Sequence, residues 1–375
     1  MTCSTGRSWA QVAIVYGLVC CLTWGMATAR SQACTSLALD NIHTVFGTNY
    51  DNTIAPGLLF VNKRGLKKAT WSSDIGGGPF RWAARYASVT FTVGGYQHAW
   101  AGMNERGLVL STMALGATEL PQPDQRPSLD WGPLWMQYIL DTCATIEDVM
   151  AADDLVRIAH TVDHYLVTDR SGNAMVVELL EGEMVTHSGG ELPVAALTNT
   201  SYQDSINTWF ANRDQGDYSG LSNSERRFCL VADRVASFQP TNSVAAVTAA
   251  FDTLELVAGD ITQWSIVFDT GRLRAYFFTQ SHPEIRYVDL TQLELRCARP
   301  SLMLDIHEPL SGGLSAHLFD LSYDMCYEHT EQYLITIGEL DDETAAGLPL
   351  WIEQITSFPC ERIRRGARRL GFVAQ

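Results

Sequence analysis

Ser31-Gln32-Ala33-Cys34-Thr35-Ser36, followed fifteen residues after Cys34 by Asn49-Tyr50-Asp51, is the stretch from which the rest of the chain is read. The residues before Cys34 have the character of a leader, and those after it the character of one folded unit. A signal peptidase cutting between Ala33 and Cys34 would leave a chain whose first residue is cysteine, its thiol beside its own free α-amine. An unperturbed α-amine has a pKa of about 8, so a good fraction is neutral near pH 7 and able to take the thiol proton. One residue then supplies nucleophile and general base together. Position alone leaves three readings of Cys34: a buried cysteine of a first strand, the lipid-bearing cysteine of a bacterial lipoprotein, or an N-terminal nucleophile. The lipoprotein reading wants a leucine-like residue three positions before the cysteine, where this chain has Ser31.

Residues 1–33 read as a secretory signal, with Arg7 in a weakly basic start, an apolar run over Ala10–Trp24, and small residues at Ser31 and Ala33. The run is short of the roughly 20 apolar residues that span a bilayer, and no later stretch is more apolar. The expected location is therefore secreted or periplasmic, with no membrane contact once the signal is gone. The 375-residue chain carries 26 Lys and Arg against 42 Asp and Glu, a formal charge of −16. Loss of Arg7 and Arg30 with a leader that holds no acid deepens this to −18. Such a balance argues against nucleic acid or an anionic membrane surface as partner. The remainder is long enough for one large core.

Of nine cysteines, Cys3, Cys20 and Cys21 belong to the leader, leaving Cys34, Cys143, Cys229, Cys297, Cys326 and Cys360. No pair has CxxC spacing, so neither zinc nor a thioredoxin-like site is expected. Cys143, Cys229 and Cys297 lie in apolar surroundings and read as core thiols, with Cys326–Cys360 as the candidate bridge after export. His160 and His164 are spaced to share a helix face as metal ligands. The glutamate of an HExxH motif is missing, however, and the segment runs into a strand, so they read as structural. Trp71, Trp82, Trp100, Trp131 and Trp135 read as core. No GxSxG, P-loop or GxGxxG occurs.

Cys34–Leu39 and Thr44–Tyr50 are β-prone runs around Asp40-Asn41-Ile42-His43, a hairpin that returns Asn49–Asp51 toward Cys34. Strands are also expected at Gly57–Lys63, and at Tyr86–Val93 and Gly107–Met113 around a turn at Asn104–Gly107. Leu134–Cys143 and Ile146–Ala151 have helical spacing. His164–Thr168, Ala174–Leu179 and Glu183–Thr186 form a meander. Ser201–Ser224 reads as polar and turn-rich, Arg226–Phe238 and Ser243–Leu256 as helices, and Thr262–Asp269 and Leu273–Phe278 as strands. Beyond about Pro309 the pattern changes, with a helix-like Glu328–Ile337 and a basic Arg362–Arg369. This order of elements is that of an α+β protein whose sheets are covered by helices.

Five motifs occur in one order: Cys34-Thr35-Ser36, Gly47-Thr48-Asn49-Tyr50-Asp51, Gly102-Met103-Asn104-Glu105-Arg106-Gly107-Leu108, Leu197-Thr198-Asn199 and Ser224-Glu225-Arg226-Arg227-Phe228. With His164–Glu178 and Thr262-Gln263-Trp264-Ser265, they resemble the choloylglycine hydrolase family over roughly residues 34–300. This family, also called the linear amide C–N hydrolases, includes penicillin V acylases and bile salt hydrolases. The resemblance implies the four-layer αββα sandwich of N-terminal nucleophile hydrolases. Residues 34–310 would be the hydrolase domain and 311–375 a C-terminal extension packed on it.

By the same resemblance Cys34 attacks an acyl amide carbonyl and water resolves the thioester. Asp51 matches the aspartate that keeps the α-amine and thiol in register. Asn199 matches the asparagine that lines the oxyanion hole, and Arg227 the arginine that braces the site, with Arg226 as the neighbouring alternative. Two positions depart from the family. Bile salt hydrolases carry arginine where this chain has Thr48, and the family carries asparagine or tyrosine where counting from Gly102 places Ala114.

The expectation is an exported cysteine amidohydrolase acting on a small acyl amide without metal or cofactor, as a homo-oligomer if it follows its family. The alternative is a non-catalytic binding protein on the same fold, held to a lipid through Cys34.

Overall fold

The structure, a computed structural model, describes residues 33–54, 56–71 and 79–361. The expected signal of residues 1–33, apart from Ala33, and the basic stretch Arg362–Arg369 lie outside the described residues.

Strands β1 (Thr35–Leu39) and β2 (Val45–Asp51) form the expected antiparallel hairpin, with Thr35 opposite Asn49 and Leu39 opposite Val45. Every residue of both strands is buried, because each face of this sheet is covered. In chain order there follow β3 (Leu58–Asn62), β4 (Lys67–Ala69), β5 (Arg81–Ala83), β6 (Ser88–Thr92), β7 (Ala99–Asn104), β8 (Val109–Ala114) and β9 (Ser128–Leu129). Helices α1 (Gly132–Thr142) and α2 (Ile146–Ala152) lead to β10 (Arg157–Ile158), β11 (Asp163–Thr168), β12 (Ala174–Leu180), β13 (Glu183–Ser188) and β14 (Ala196–Leu197). Helices α3 (Tyr202–Asn212), α4 (Asn223–Ser237) and α5 (Ser243–Val257) precede β15 (Thr262–Asp269), β16 (Arg274–Thr279), β17 (His282–Asp289), β18 (Leu302–Asp305) and β19 (Phe319–Asp320). Helices α6 (Tyr323–Ile337) and α7 (Asp342–Thr356) close the described chain.

Six strands form one sheet in the order β14-β1-β2-β15-β16-β17, and nine form a second in the order β13-β12-β11-β8-β7-β6-β3-β18-β19. Side chains of the two sheets interlock. Phe91 of the second stands 5.2 Å from Phe277 and 6.0 Å from Phe268 of the first, centroid to centroid. Helices α4 and α5 cover the outer face of the six-stranded sheet, and α1 that of the nine-stranded sheet. The result is the expected α+β sandwich of helix, sheet, sheet and helix. Helices α6 and α7 bury Cys326, Leu348, Trp351 and Ile352 in a separate cluster with Leu58, Phe60 and Tyr96.

Several elements differ from the sequence reading. A strand, β7, precedes the Asn104–Gly107 turn; Ala99-Trp100-Ala101-Gly102 lacks the β-branched residues that mark strands. A helix, α3, occupies the supposedly turn-rich Ser201–Ser224. Ser201 caps it by accepting from the Asp204 N–H, and Tyr202, Ile206 and Trp209 bury one face at helical spacing. Helix α7 and strands β17 and β18 are likewise not expected from the sequence.

The disulfide joins Cys297 to Cys360, not Cys326 to Cys360. Cys326 and Cys229 are fully buried free thiols. Cys297 is no core thiol, because residues 64–67 lie between two passing segments. Cys297 N donates to Arg64 O on one side, and Lys67 N to Pro359 O on the other. Gly65, at φ +88°, passes so close beneath the bridge that a Cβ would meet Cys297 Sγ at 2.8 Å. Closing a 63-residue separation stabilises by about 4 kcal/mol on the chain-entropy model. A Cys297→Ser/Cys360→Ser variant is therefore expected to unfold at lower urea than the parent, and a reductant should lower the parent's midpoint but not the variant's.

Candidate active site

The β1–β2 hairpin places its two ends together: Cys34 immediately precedes β1 and Asp51 ends β2. The Cys34 thiol points at the Asp51 carbonyl oxygen, 3.9 Å away. Asp51 pairs with Thr262 at a bulge of β15, where the register slips before Trp264, a device that re-aims side chains at the end of a strand.

Arg227 comes from the first turns of α4, whose start is set by a reciprocal cap between Ser222 and Glu225. It is 3% exposed and all its reach is inward. Nη1 donates to Cys34 O at 2.6 Å and to Thr35 Oγ1 at 2.7 Å, Nη2 to Asn199 Oδ1 at 2.9 Å, and Nε to Asn223 Oδ1 at 2.8 Å. Arg226, one position earlier, faces solvent.

Asn199 follows β14 and is oriented by that guanidinium. Arginine only donates, so the side-chain oxygen faces Arg227 and the amide nitrogen faces the other way, where Nδ2 donates to Ala114 O at 3.0 Å. The preceding carbonyl is held too: Thr198 O accepts from His164 Nε2 at 2.5 Å, and His164 Nδ1 meets Glu178 Oε1 at 2.9 Å. Tyr202 N also donates to Glu178. His164 and Glu178 are wholly buried, so His164 is the structural histidine the sequence suggests. Among the described residues no group of three His, Cys, Asp or Glu is placed to hold a metal ion.

A cavity of about 130 Å³ opens on the thiol, lined by Cys34, Tyr50, Trp100, Met113, Ala114 and Asp163 among others. Its aromatic wall is stiff, since Tyr50 stacks on Trp264 at 4.2 Å and meets Trp100 edge-on at 5.1 Å. Apolar walls with a few placed polar groups are the usual form of a small-molecule site. Of the four expected residues Cys34 alone lines the cavity, and Asp51, Asn199 and Arg227 pack around Cys34. Asp163 is a lining residue that the sequence does not single out, because nothing there distinguishes it from any acid opening a strand. Thr48 is fully buried and accepts from Ser36 Oγ at 2.8 Å, and Ser36 in turn meets Ser111 across the sheets at 2.7 Å. A chain of hydroxyls thus occupies the place of the family's arginine.

Burial, and then the Asp51 charge, push the Cys34 thiol up to about 12. The thiol is neutral at pH 7 and needs a base at hand to react. Burial likewise pushes Asp51 up to about 6, against the pull of Thr262 and Arg227. Its Oδ1 is buried without a hydrogen-bond partner among the described residues. A carboxyl raised in the folded state costs nothing below about pH 4, where both states are protonated. As pH rises toward 6 the unfolded chain loses its proton first, and the native state is progressively penalised, by about 3 kcal/mol at the plateau. In a chain that keeps the residues before Cys34, Asp51→Asn is therefore expected to raise stability by up to this amount at pH 8 and by little near pH 4. Urea unfolding at the two pH values checks it; an equal effect at both would contradict it.

A family model described as linear amide C–N hydrolases, choloylglycine hydrolase family, matches residues 34–242. A penicillin V acylase of Pectobacterium atrosepticum is 23% identical over 270 residues, covering 59% of this chain and 71% of that one. Among solved structures, a penicillin V acylase from Agrobacterium tumefaciens superposes with a TM-score of 0.68 at 23% identity, over 77% of this chain and 98% of its own. A variant of conjugated bile acid hydrolase from Clostridium perfringens gives 0.62 at 17% identity, over 74% and 98%.

Proposed function

The chain belongs to the linear amide C–N hydrolases of the choloylglycine hydrolase family, and from that premise we propose that it works through Cys34 as its first residue, exposed when an export signal of residues 1–33 is removed. As a member it hydrolyses carbon–nitrogen bonds of small linear amides. In the proposed cycle the α-amine of Cys34 takes the thiol proton and Sγ adds to the amide carbonyl. The ammonium then returns the proton to the departing nitrogen, the C–N bond breaks, and an acyl thioester remains. Water, deprotonated by the same amine, releases the acid and restores the thiol.

The single observation that carries this reading is the orphaned Oδ1 of Asp51 beside Cys34. A buried carboxylate without a partner is costly, and an α-ammonium on Cys34 would supply both the hydrogen bond and the opposite charge. The thiol supports it from the other side: at about 12 it is inert without an adjacent base. The second hydrogen of Asn199 Nδ2 is the proposed donor to the carbonyl oxygen as it becomes negative, with Arg227 fixing the amide's orientation. No metal or cofactor enters these steps. The aromatic and apolar side of the cavity, Tyr50, Trp100 and Met113, favours an acyl amide with an apolar acyl group, and the leader favours action in a periplasm or outside the cell.

The test compares a chain beginning at Cys34 with one that retains Ala33 before it. The first is expected to hydrolyse members of an acyl-amide panel and the second to be inactive while folding equally well. Equal activity in both would remove the amine from the mechanism. Binding without turnover by the first would leave a binding protein.

A further inference from the structure

Among the described residues, the cavity beside Cys34 carries an acid and neither lysine nor arginine. Asp163 opens β11 opposite Ala114 on β8, and directly paired residues of an antiparallel ladder project on the same face. Both line the cavity, and with only a methyl at position 114 nothing from that partner covers the carboxyl. Thr161 Oγ1 donates to Asp163 Oδ2 at 3.1 Å. Burial raises the carboxyl, and the hydrogen bond from Thr161 opposes the rise. The nearby cation, Arg227, is committed to four hydrogen bonds. His98, which does line the cavity, is held neutral, pushed down to about 4 by burial. The Asp163 charge also reaches the thiol, adding to the rise at Cys34.

We propose that Asp163 is a specificity determinant: the group of the substrate that sits beside it is a hydrogen-bond donor, a hydroxyl, amine or ammonium, and amides that place a carboxylate there are rejected. This rests on the proposed function for the role of Cys34, and goes beyond it in naming the substrate class. A carboxylate substrate would bring a second anion beside Asp163 with no lysine or arginine on the lining to receive it, the α-amine of Cys34 being engaged by Asp51 and the reaction. A donor group would instead find an acceptor already in place.

The test begins with a readout that requires no turnover. Alkylation of Cys34 by iodoacetamide, iodoacetate and 2-bromoethylammonium, at a pH high enough to ionise Asp163, is followed by peptide mass mapping, each rate normalised to that with glutathione. In the parent protein the normalised order is expected to be cationic, then neutral, then anionic. Asp163→Asn should shrink the neutral-to-anionic ratio by about tenfold, the size of one charge acting across a few ångströms of partly screened interior. Should Asp163→Asn fail to fold, Ala114→Lys places a cation at the paired position and should shrink the same ratio. The second readout is kcat/KM for three amides of one acyl group, with glycine, ethanolamine or a monoacylated diamine as the amine, expected to rise in that order.

An unchanged ratio in both variants, a parent preference for the anion, or a Cys34 that none of the reagents labels would overturn the proposal. A shifted alkylation ratio with no amide turned over would leave Asp163's role standing and count against the catalytic reading instead.

Discussion

Cys34→Ala is expected to abolish amide hydrolysis, with a loss of at least about 10⁴-fold, as removal of a covalent nucleophile does. Cys34→Ser should be severely impaired as well, because a hydroxyl ionises far less readily than a thiol and is the weaker nucleophile in a site shaped for sulfur. Neither change should unfold the protein. The side chain is 3% exposed and among the described residues its hydrogen-bond contact is a long one to Asp51 O, so both variants should melt close to the parent. Activity and melting measured on the same preparations separate chemistry from folding. A folded Cys34→Ala protein that still turns over an acyl amide would end the proposed mechanism.

Asn199→Ala carries the second largest expected effect, a fall in kcat of about 10²–10³-fold with a smaller change in KM. The reason is geometric. Oδ1 is tied to Arg227 Nη2 and Nδ2 to Ala114 O, so the amide cannot flip, and its second N–H stays aimed as the carbonyl oxygen gains charge. A donor fixed in advance stabilises the charged intermediate without reorganising. Alanine also strands Nη2 of a buried arginine, at a cost of about 1–3 kcal/mol in stability. Steady-state kinetics well below the variant's melting temperature distinguish the two losses. An unchanged kcat would show that the oxyanion is met elsewhere.

The part of the site legible in the sequence is the part built from local contacts. Cys34 and Asp51 meet because two β-prone runs around a short polar turn return the chain on itself, and both signals lie within eighteen residues. The α+β layering is legible for a similar reason, since most of the longer strands and helices carry a local signal of their own. Asn199 and Arg227 are reached through family resemblance alone; Arg227 meets Cys34 across 193 residues of sequence, and no local pattern encodes that. Asp163 escapes a sequence reading because its meaning comes from its partner across the ladder, Ala114, whose small side chain leaves the carboxyl facing the cavity. The Cys297–Cys360 pairing is misread because it depends on residues 64–67 drawing two distant segments to either side of them. Helix α3 is hidden by polar composition, although its buried Tyr202, Ile206 and Trp209 do keep helical spacing.

N-terminal sequencing and intact mass of the protein recovered from a cell that exports it put the role of Cys34 to its sharpest test. The expected result is a chain that begins at Cys34 with its amine and thiol unmodified, so that nucleophile, base and the Asp51 carboxylate come together. A chain that keeps residues before Cys34, or carries lipid on its sulfur, has no free catalytic amine or no free thiol, and would contradict the proposed mechanism.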